Sequence, residues 1–200
     1  MTPRDFALLA QEAYTAAPDI GKADSASRAI VRQTAAGLVV AFRGSDDIDS
    51  WLHDFDIMTT DVPGVGAIHA GFWSAWQDIA VDVLAAIDGR PVTLVGHSLG
   101  AAIAICAAVD MTISGNPPVA VHGFEPPRVS PDLGVRALLA KVPVHLYRNG
   151  LDIVTQVPHG WHQSALLNNI GNPSMPVDNV EDHEMARVIA ALASMQAQAA

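Results

Sequence analysis

The sequence of 200 residues has little cysteine and little positive charge. It contains a single cysteine, Cys106, so no disulfide can form within the chain. The apolar run around Cys106 predicts a buried, unreactive thiol. Eleven basic against 21 acidic residues give a net charge of −10. This charge excludes nucleic acid as an expected partner, and it excludes binding to an anionic membrane through charge.

Metal-binding patterns and long apolar runs are also missing. None of the eight histidines lies in an HExxH pattern or near paired cysteines, so we expect neither a metal site nor another cofactor. No run approaches the ~18 apolar residues of a transmembrane helix. The first residues lack the basic start and apolar core of a secretory signal. We therefore expect a protein that is cytoplasmic or released without an ordinary signal peptide. Its oligomeric state is left open.

Half of the residues are apolar, which suits one sizeable domain over residues 1–200. The apolar spacing predicts helices separated by short buried strands. The predicted helices are residues 3–17, 74–87, 99–111 and 184–196, and the predicted strands are residues 29–33, 38–42, 91–95, 119–124 and 142–147. Strands that alternate with helices predict an α/β fold with a mostly parallel central sheet and helices on both faces.

The pattern G-x-S-x-G surrounds Ser98 in the segment Leu-Val-Gly-His-Ser-Leu-Gly-Ala, residues 94–101. It stands between an apolar strand that ends at Val95 and a helix that begins at Leu99. In a sharp strand-to-helix turn, the residues two before and two after the serine must be small, because backbone passes close to them. The context therefore predicts a nucleophile elbow of the α/β-hydrolase type, with Ser98 as nucleophile. We expect the neighbouring His97 to point away from Ser98 and to pack.

The catalytic acid and then the histidine follow the serine along the chain in α/β-hydrolases. Asp152 comes directly after a predicted strand and a turn through Asn149-Gly150, which is where an acid is needed. Asp132 lies in a proline-rich loop and is the weaker candidate.

Three histidines follow Asp152. His183 lies in a polar loop directly before the last predicted helix, which would anchor it, and is the favoured base. His162 is the second choice, and His159 is interpreted as a surface residue. With His183 as base, Ser98 loses its proton and attacks an ester carbonyl, while Asp152 orients the imidazole and stabilises its charged form. An acyl-enzyme forms, and water hydrolyses it.

The oxyanion of the tetrahedral intermediate needs two donors or more. The backbone N–H of Leu99, directly after the nucleophile, is the first. The second is expected after an early strand. The predicted strand 38–42 leads to Ser45, whose N–H and hydroxyl are both donors.

These segments together resemble the class 3 (fungal-type) lipase family, and they occur in the family's order over residues 38–183. The similar motifs are F-R-G-S at 42–45, W-x-x-D at 51–54, H-x-G-F at 69–72, G-H-S-L-G at 96–100, F-x-x-P-R at 124–128, D-x-V at 152–154 and D-H at 182–183. The resemblance implies an α/β-hydrolase fold, an ester or lipid substrate bound in solution or at an interface, and the triad and oxyanion residues named above. The chain departs from the family at Glu125 and Pro126, where small residues are usual, and at Thr155, which replaces a proline.

The segment after the oxyanion serine is often a lid in that family. In residues 46–55 the apolar positions have helical spacing and are Ile48, Trp51, Leu52 and Phe55. Two interpretations stay open: a lid that opens at an apolar surface, and a fixed helix packed on the core. We expect Asp54 to make a structural contact, to Arg43.

Three functions follow from this reading of the sequence. The first is a lipase or esterase that cleaves carboxylic esters through an acyl-enzyme on Ser98. The second is a feruloyl esterase-like enzyme or a polyester depolymerase on the same scaffold. The third is a non-catalytic binding module, which is disfavoured because every triad and oxyanion position holds a competent residue.

Overall fold

A seven-stranded sheet forms the centre of the fold in the computed structural model, which describes residues 1–53 and 56–198. The strands are β1 (Ile20–Gly21), β2 (Arg28–Thr34), β3 (Gly37–Phe42), β4 (Thr59–Val62), β5 (Gly66–His69), β6 (Val92–His97), β7 (Ala120–Phe124), β8 (Val144–Asn149) and β9 (Leu167–Ile170). The helices are α1 (Pro3–Thr15), α2 (Ile48–His53), α3 (Ala70–Ile87), α4 (Leu99–Ile113), α5 (Gly134–Leu138) and α6 (Met185–Gln198).

The strand order in the main sheet is β1-β2-β3-β6-β7-β8-β9. The pairs β1·β2 and β2·β3 are antiparallel, and every pair from β3 to β9 is parallel. The remaining strands, β4 and β5, form a separate antiparallel ribbon. The predicted mostly parallel sheet is therefore confirmed.

Helices cover both faces of the sheet. On one face α1 and α6 pack with the sheet around Phe6, Val95, Phe124 and Val188. On the other face α3 and α4 pack around Phe42, Trp76 and Ile103. Strand β6 is buried along its whole length because it is covered from both sides, which explains its nearly continuous apolar sequence. Helices on both faces are therefore confirmed.

The five predicted strands correspond to β2, β3, β6, β7 and β8, and the four predicted helices to α1, α3, α4 and α6. Four short strands (β1, β4, β5 and β9) and the five-residue α5 were not predicted, since elements this short show no clear periodicity. The description as one domain over residues 1–200 stays a prediction. Cys106 is buried in α4, and burial raises the pKa of its thiol. None of the helices described here has both the length and the hydropathy needed to cross a membrane.

The topology brings the ends of four strands to one edge of the sheet. Strands β3, β6, β7 and β8 are parallel neighbours, so their carboxyl ends meet there. Ser45, Ser98, Glu125 and Asp152 follow these four strands within three residues. This edge is where ligand sites of parallel α/β sheets lie.

Candidate active site

Ser98 forms a strained turn between β6 and α4, with φ 57° and ψ −128°. Close backbone packing explains the glycines of the motif. A Cβ on Gly96 would lie 2.2 Å from the carbonyl group of Gly100, and a Cβ on Gly100 would lie 2.2 Å from the carbonyl oxygen of Phe42. The Ser98 N–H donates to the carbonyl of Phe124 at 2.9 Å, which ties the turn to β7. This is the geometry expected of a nucleophile elbow.

Asp152 and His183 form a buried pair. The Nδ1 atom of His183 lies 3.1 Å from Oδ1 of Asp152. The same oxygen accepts a hydrogen bond from the Val154 N–H at 3.0 Å. Burial acts to raise the pKa of Asp152, but the neighbouring Glu125, the contact with and charge of His183, and the hydrogen bond from the Val154 N–H outweigh it and lower that pKa. The structure therefore holds an ionised carboxylate against the imidazole.

His97 fixes His183 beside the elbow. The two rings are 4.6 Å apart between centroids, and Nε2 of His97 lies 2.9 Å from the carbonyl oxygen of His183. Burial lowers the pKa of His97 to about 3, so this ring is neutral. Tyr14 then donates its hydroxyl to Nδ1 of His97 at 2.7 Å, and the Nε2–H donates to His183. The expected packing role of His97 thus includes holding the backbone of His183.

Two reactive atoms are left without a hydrogen-bond partner at this point. They are Oγ of Ser98 and Nε2 of His183, both buried, and neither has a partner within residues 1–53 and 56–198. Groups that exchange a proton with each other and with substrate are often loosely paired before substrate binds. The arrangement therefore suits nucleophilic catalysis by Ser98 with His183 as base.

The alternative acid and base lie elsewhere. Asp132 and His162 are exposed, and both contact Ser130: its hydroxyl donates to Asp132 at 3.2 Å, and its carbonyl accepts from the His162 N–H at 2.9 Å. Asp132 also accepts from the Gly134 N–H at 2.8 Å. These contacts stabilise a loop, and His159 is exposed as well.

The loop that carries His183 is tied down by the residue before it. The buried carboxylate of Asp182 accepts from the N–H groups of Leu151 at 2.9 Å and Ser174 at 3.0 Å, and from the amide of Asn179 at 3.1 Å. Arg187 adds an ion pair at 3.4 Å. Burial acts to raise the pKa of Asp182, but these hydrogen bonds lower it. The D of the D-H motif therefore holds the base next to the acid loop.

Glu125 is the functional residue that sequence reasoning missed. It follows β7 with a φ of 53° and is completely buried. Its Oε1 accepts from the Asn149 N–H at 2.6 Å, and one carboxyl oxygen each of Glu125 and Asp152 and a ring nitrogen of His183 lie within 4.8 Å of one another. Burial first, and then the neighbouring Asp152, raise the pKa of Glu125 well above its usual range. The only available signal was a large acidic residue where the family has small ones.

The same three groups are the only set among the described residues with metal-ligand spacing. A zinc site needs deprotonated ligands and usually three or four of them. Here burial raises the pKa of the Glu125 carboxyl group, which disfavours its ligand form, and the Asp152 carboxyl group already pairs with the imidazole. Asp152 and His183 are therefore interpreted as members of the triad, with Glu125 beside them. The absence of a metal stays a prediction.

The proposed oxyanion donors come from two elements at the elbow. Leu99 opens α4, where backbone N–H groups have no acceptor within the helix. The loop after β3 reaches the elbow at Gly44, since a Cβ on Gly44 would lie 2.7 Å from the carbonyl oxygen of His97. The hydroxyl of Ser45, the next residue, donates to the carbonyl of Asp47 at 3.2 Å. In this state its backbone N–H is the donor left for substrate.

A cavity of about 330 Å³ adjoins the site. Its lining includes Tyr14, Ser45, Ile48, His97, His183 and Met185. The volume falls at the lower end of small-ligand pockets, roughly 300–1,000 Å³. A larger cleft of about 530 Å³ lies between the ends of α3 and α4 and is lined by none of the candidate catalytic residues. Because Ser45 and His183 line the smaller cavity, it is the candidate substrate site.

Helix α2 covers part of the segment predicted as a lid. Ile48 lines the cavity, and Leu52 is half-buried. The ring of Trp51 stacks on Phe72 with centroids 6.2 Å apart, so this side chain packs on the core. Phe55 lies outside the described residues, as does the expected contact between Asp54 and Arg43. Within the described residues Arg43 pairs with Asp46. Whether α2 moves stays open.

The fold and the elbow define this chain as an α/β-hydrolase. The sequence profile of the lipase (class 3) family matches residues 39–161, and the chain belongs to that family. The resemblance seen in the motifs is thereby confirmed.

Two fungal proteins and one solved structure illustrate the relationship. The chain is 35% identical over 116 residues to a secreted mono- and diacylglycerol lipase A of Penicillium cyclopium, covering 53% of this chain and 38% of that protein. It is 31% identical over 104 residues to a secreted mono- and diacylglycerol lipase 1 of Fusarium solani, covering 48% and 31%. The native Rhizomucor miehei lipase–propeptide complex has the same fold, with a TM-score of 0.71, 19% identity, and coverage of 90% of this chain and 78% of that chain. The matched part thus spans less than half of either fungal protein.

The expectation of a cytoplasmic protein is contradicted by these relatives. Both fungal proteins are named as secreted lipases. The expectation of a cytoplasmic protein is therefore withdrawn.

Proposed function

We propose that this protein is a carboxylic ester hydrolase of the lipase type. Ser98 is the nucleophile, His183 the base and Asp152 the acid that orients it. The backbone N–H groups of Ser45 and Leu99 bind the oxyanion. The observation that carries the proposal is the combination of the strained Ser98 turn with the pair of Asp152 and His183 at 3.1 Å.

The reaction follows from these positions. The imidazole of His183 takes the proton of Ser98, and the serine oxygen attacks the ester carbonyl carbon. Negative charge moves to the carbonyl oxygen, where preorganised N–H groups stabilise it without reorganisation. The alcohol leaves with the proton from His183, and water then releases the acid by the same route.

Neutral glycerides are the substrates we propose. The net charge of −10 disfavours an anionic lipid surface, whereas an uncharged ester carries no such penalty. The apolar side chains of Ile48, Val180 and Met185 in the cavity suit an acyl chain. The names of the fungal relatives, which are mono- and diacylglycerol lipases, support the same class.

The test is a substrate panel with an active-site control. The panel contains acyl esters from C2 to C18, emulsified mono-, di- and triacylglycerols, a feruloyl ester and a polyester film. We expect the glycerides and simple acyl esters to be cleaved fastest, and Ser98→Ala to lose on the order of 10³-fold or more in kcat while still folding. Faster cleavage of the feruloyl ester or the polyester would select the second function. No labelling of the wild type by a fluorophosphonate probe would indicate a binding module.

Chelation tests the expected absence of a metal. Because the serine mechanism uses only protein groups, EDTA should leave the ester hydrolysis rate unchanged. Loss of activity that one added divalent ion restores would contradict this expectation and show a metal site that the sequence does not reveal.

A further inference from the structure

Glu125 has an energetically unfavourable backbone conformation, which needs an explanation. Its φ of 53° lies in the left-handed region, which non-glycine residues rarely adopt. Among the described residues only Asp88, Ser98 and Glu125 share a positive φ without being glycine. Two of these three are at the site, and strained backbone clusters where function requires it. A glycine would remove the strain, so the carboxyl group of Glu125 must provide something at this place.

The two oxygens of Glu125 have different surroundings. Oε1 accepts from the Asn149 N–H at 2.6 Å. Oε2 is buried, and no donor group within the described residues forms a hydrogen bond to it. The same is true of Oδ2 of Asp152, whose Oδ1 faces His183. Two carboxyl groups are thus buried together, each with one oxygen unsatisfied.

One oxygen of each carboxyl group lies within 4.8 Å of the other, so a single proton between the two groups could satisfy both unpartnered oxygens. Two adjacent buried carboxylates repel each other strongly, so one of the groups must be neutral. Asp152 receives donors from His183 and Val154, which favour its charged form. Glu125 receives one backbone donor. The proton therefore belongs on Glu125.

We propose that Glu125 is a positioning residue of the triad: its neutral carboxyl group donates from Oε2 to Oδ2 of Asp152 and holds that carboxylate ionised and aligned with His183. The inference rests on the proposed ester hydrolysis. Burial, followed by the charge of Asp152, raises the pKa of Glu125, which agrees with this proton position. The charged groups that face Glu125 are Asp152, His183 and Arg148 of β8, and Arg148 is already paired with Asp178 at 3.0 Å.

The test compares two substitutions of similar size. In Glu125→Gln the amide oxygen accepts from Asn149 and the amide nitrogen donates to Asp152, so both hydrogen bonds are kept. In Glu125→Met the side-chain volume is similar, but the donor and the acceptor are lost. The kinetic constants are measured on a dissolved short-chain ester from pH 5 to pH 10, together with the thermal midpoint.

We expect Glu125→Gln to keep kcat within about threefold of the wild type, and Glu125→Met to lose roughly 10–100-fold in kcat with little change in KM. In Glu125→Met the acid limb of kcat/KM should move to higher pH. Without the hydrogen bond from Glu125, Asp152 takes up a proton more readily. While Asp152 is still ionised, its negative charge holds the proton on the His183 imidazole more strongly, so a higher pH is needed to free the base. A purely structural role would lower the thermal midpoint and leave the acid limb in place.

The outcomes separate this inference from the proposed function. If the wild type hydrolyses no ester, the proposed function fails. If it is active and Glu125→Met keeps the wild-type kcat and acid limb, or if both variants are damaged equally, the role of Glu125 is wrong. Should Glu125→Met not fold, Glu125→Gly, which removes the backbone strain, replaces it with the same expectations for kcat and the acid limb.

Discussion

The two sides of Ser98, the proposed nucleophile, are held by different kinds of contact. On the acid side, Glu125, Asp152, Asp182 and His183 are all buried, and a backbone N–H group donates to each of the three carboxyl groups. On the oxyanion side, the loop into α2 carries exposed acids. Its Asp46 has a side chain that is 67% exposed and pairs with Arg43 and Arg28.

The difference shows how the two sides contribute. Buried hydrogen bonds cannot be exchanged for water, so they fix the geometry in which a proton is transferred. Exposed ion pairs exchange easily with solvent and contribute little to stability. We therefore expect the acid side to hold the triad more firmly than the oxyanion side holds its loop.

The largest expected effect breaks the acid side at the base. His183→Ala should lower kcat by on the order of 10³-fold or more, because Ser98 and His183 act as a unit. The matched control is His162→Ala, which removes an exposed imidazole from the Ser130 loop and should change kcat less than about threefold. Steady-state rates on a dissolved ester check both. The reverse ranking would mean that the triad runs through His162.

The next effect concerns stability on the two sides. Asp182→Ala leaves the N–H groups of Leu151 and Ser174 without their acceptor, and should lower the free energy of unfolding by about 3 kcal/mol. Asp46→Ala, on the oxyanion side, removes ion pairs whose carboxylate is exposed but whose arginines are largely buried, and should cost less than Asp182→Ala, about 1 kcal/mol. Urea unfolding at pH 7 measures both. Equal losses would show that the two sides are held equally well.

The pH dependence of stability sharpens the same contrast. The pKa of Asp182 is lowered in the folded protein. The contribution of its carboxylate to the free energy of unfolding is therefore fully present above the unfolded pKa of about 3.9, and it is lost as the pH falls through the lower folded pKa. The difference in unfolding free energy between the wild type and Asp182→Asn should therefore shrink as pH decreases below about 4. Urea unfolding between pH 7 and pH 3 checks this, and a constant difference would contradict the assignment.

The two sides also differ in how well the sequence predicts them. The elbow can be predicted from the sequence because Gly96 and Gly100 reflect a local steric requirement next to a buried strand. The order of serine, acid and histidine then leads to Asp152 and His183. The roles of Glu125, Tyr14 and Asp182 depend on contacts between segments far apart in the chain, and periodicity carries no information on such contacts. The small ribbon of β4 and β5 was not predicted for a different reason. Its strands have four residues each, too few to show a clear periodicity.

The smallest expected effect concerns α2 on the oxyanion side. Trp51 packs on Phe72, and Ile48 lines the cavity. We predict that the apolar stripe of this helix closes the site in water. Burial of such side chains is favourable by roughly 1.5–3 kcal/mol each, which keeps the closed state dominant until an apolar surface offers the same stripe another partner.

We therefore expect the rate on a partly soluble ester to rise sharply above its solubility limit. Trp51→Ser should reduce this rise a few-fold, and more than it reduces hydrolysis of a dissolved ester. Val81→Ser, at a position of α3 that is 79% exposed, is the control and should change neither. A smooth hyperbolic curve through the solubility limit, the same in Trp51→Ser, would mean that α2 is fixed and that the enzyme is an esterase with a permanently open site.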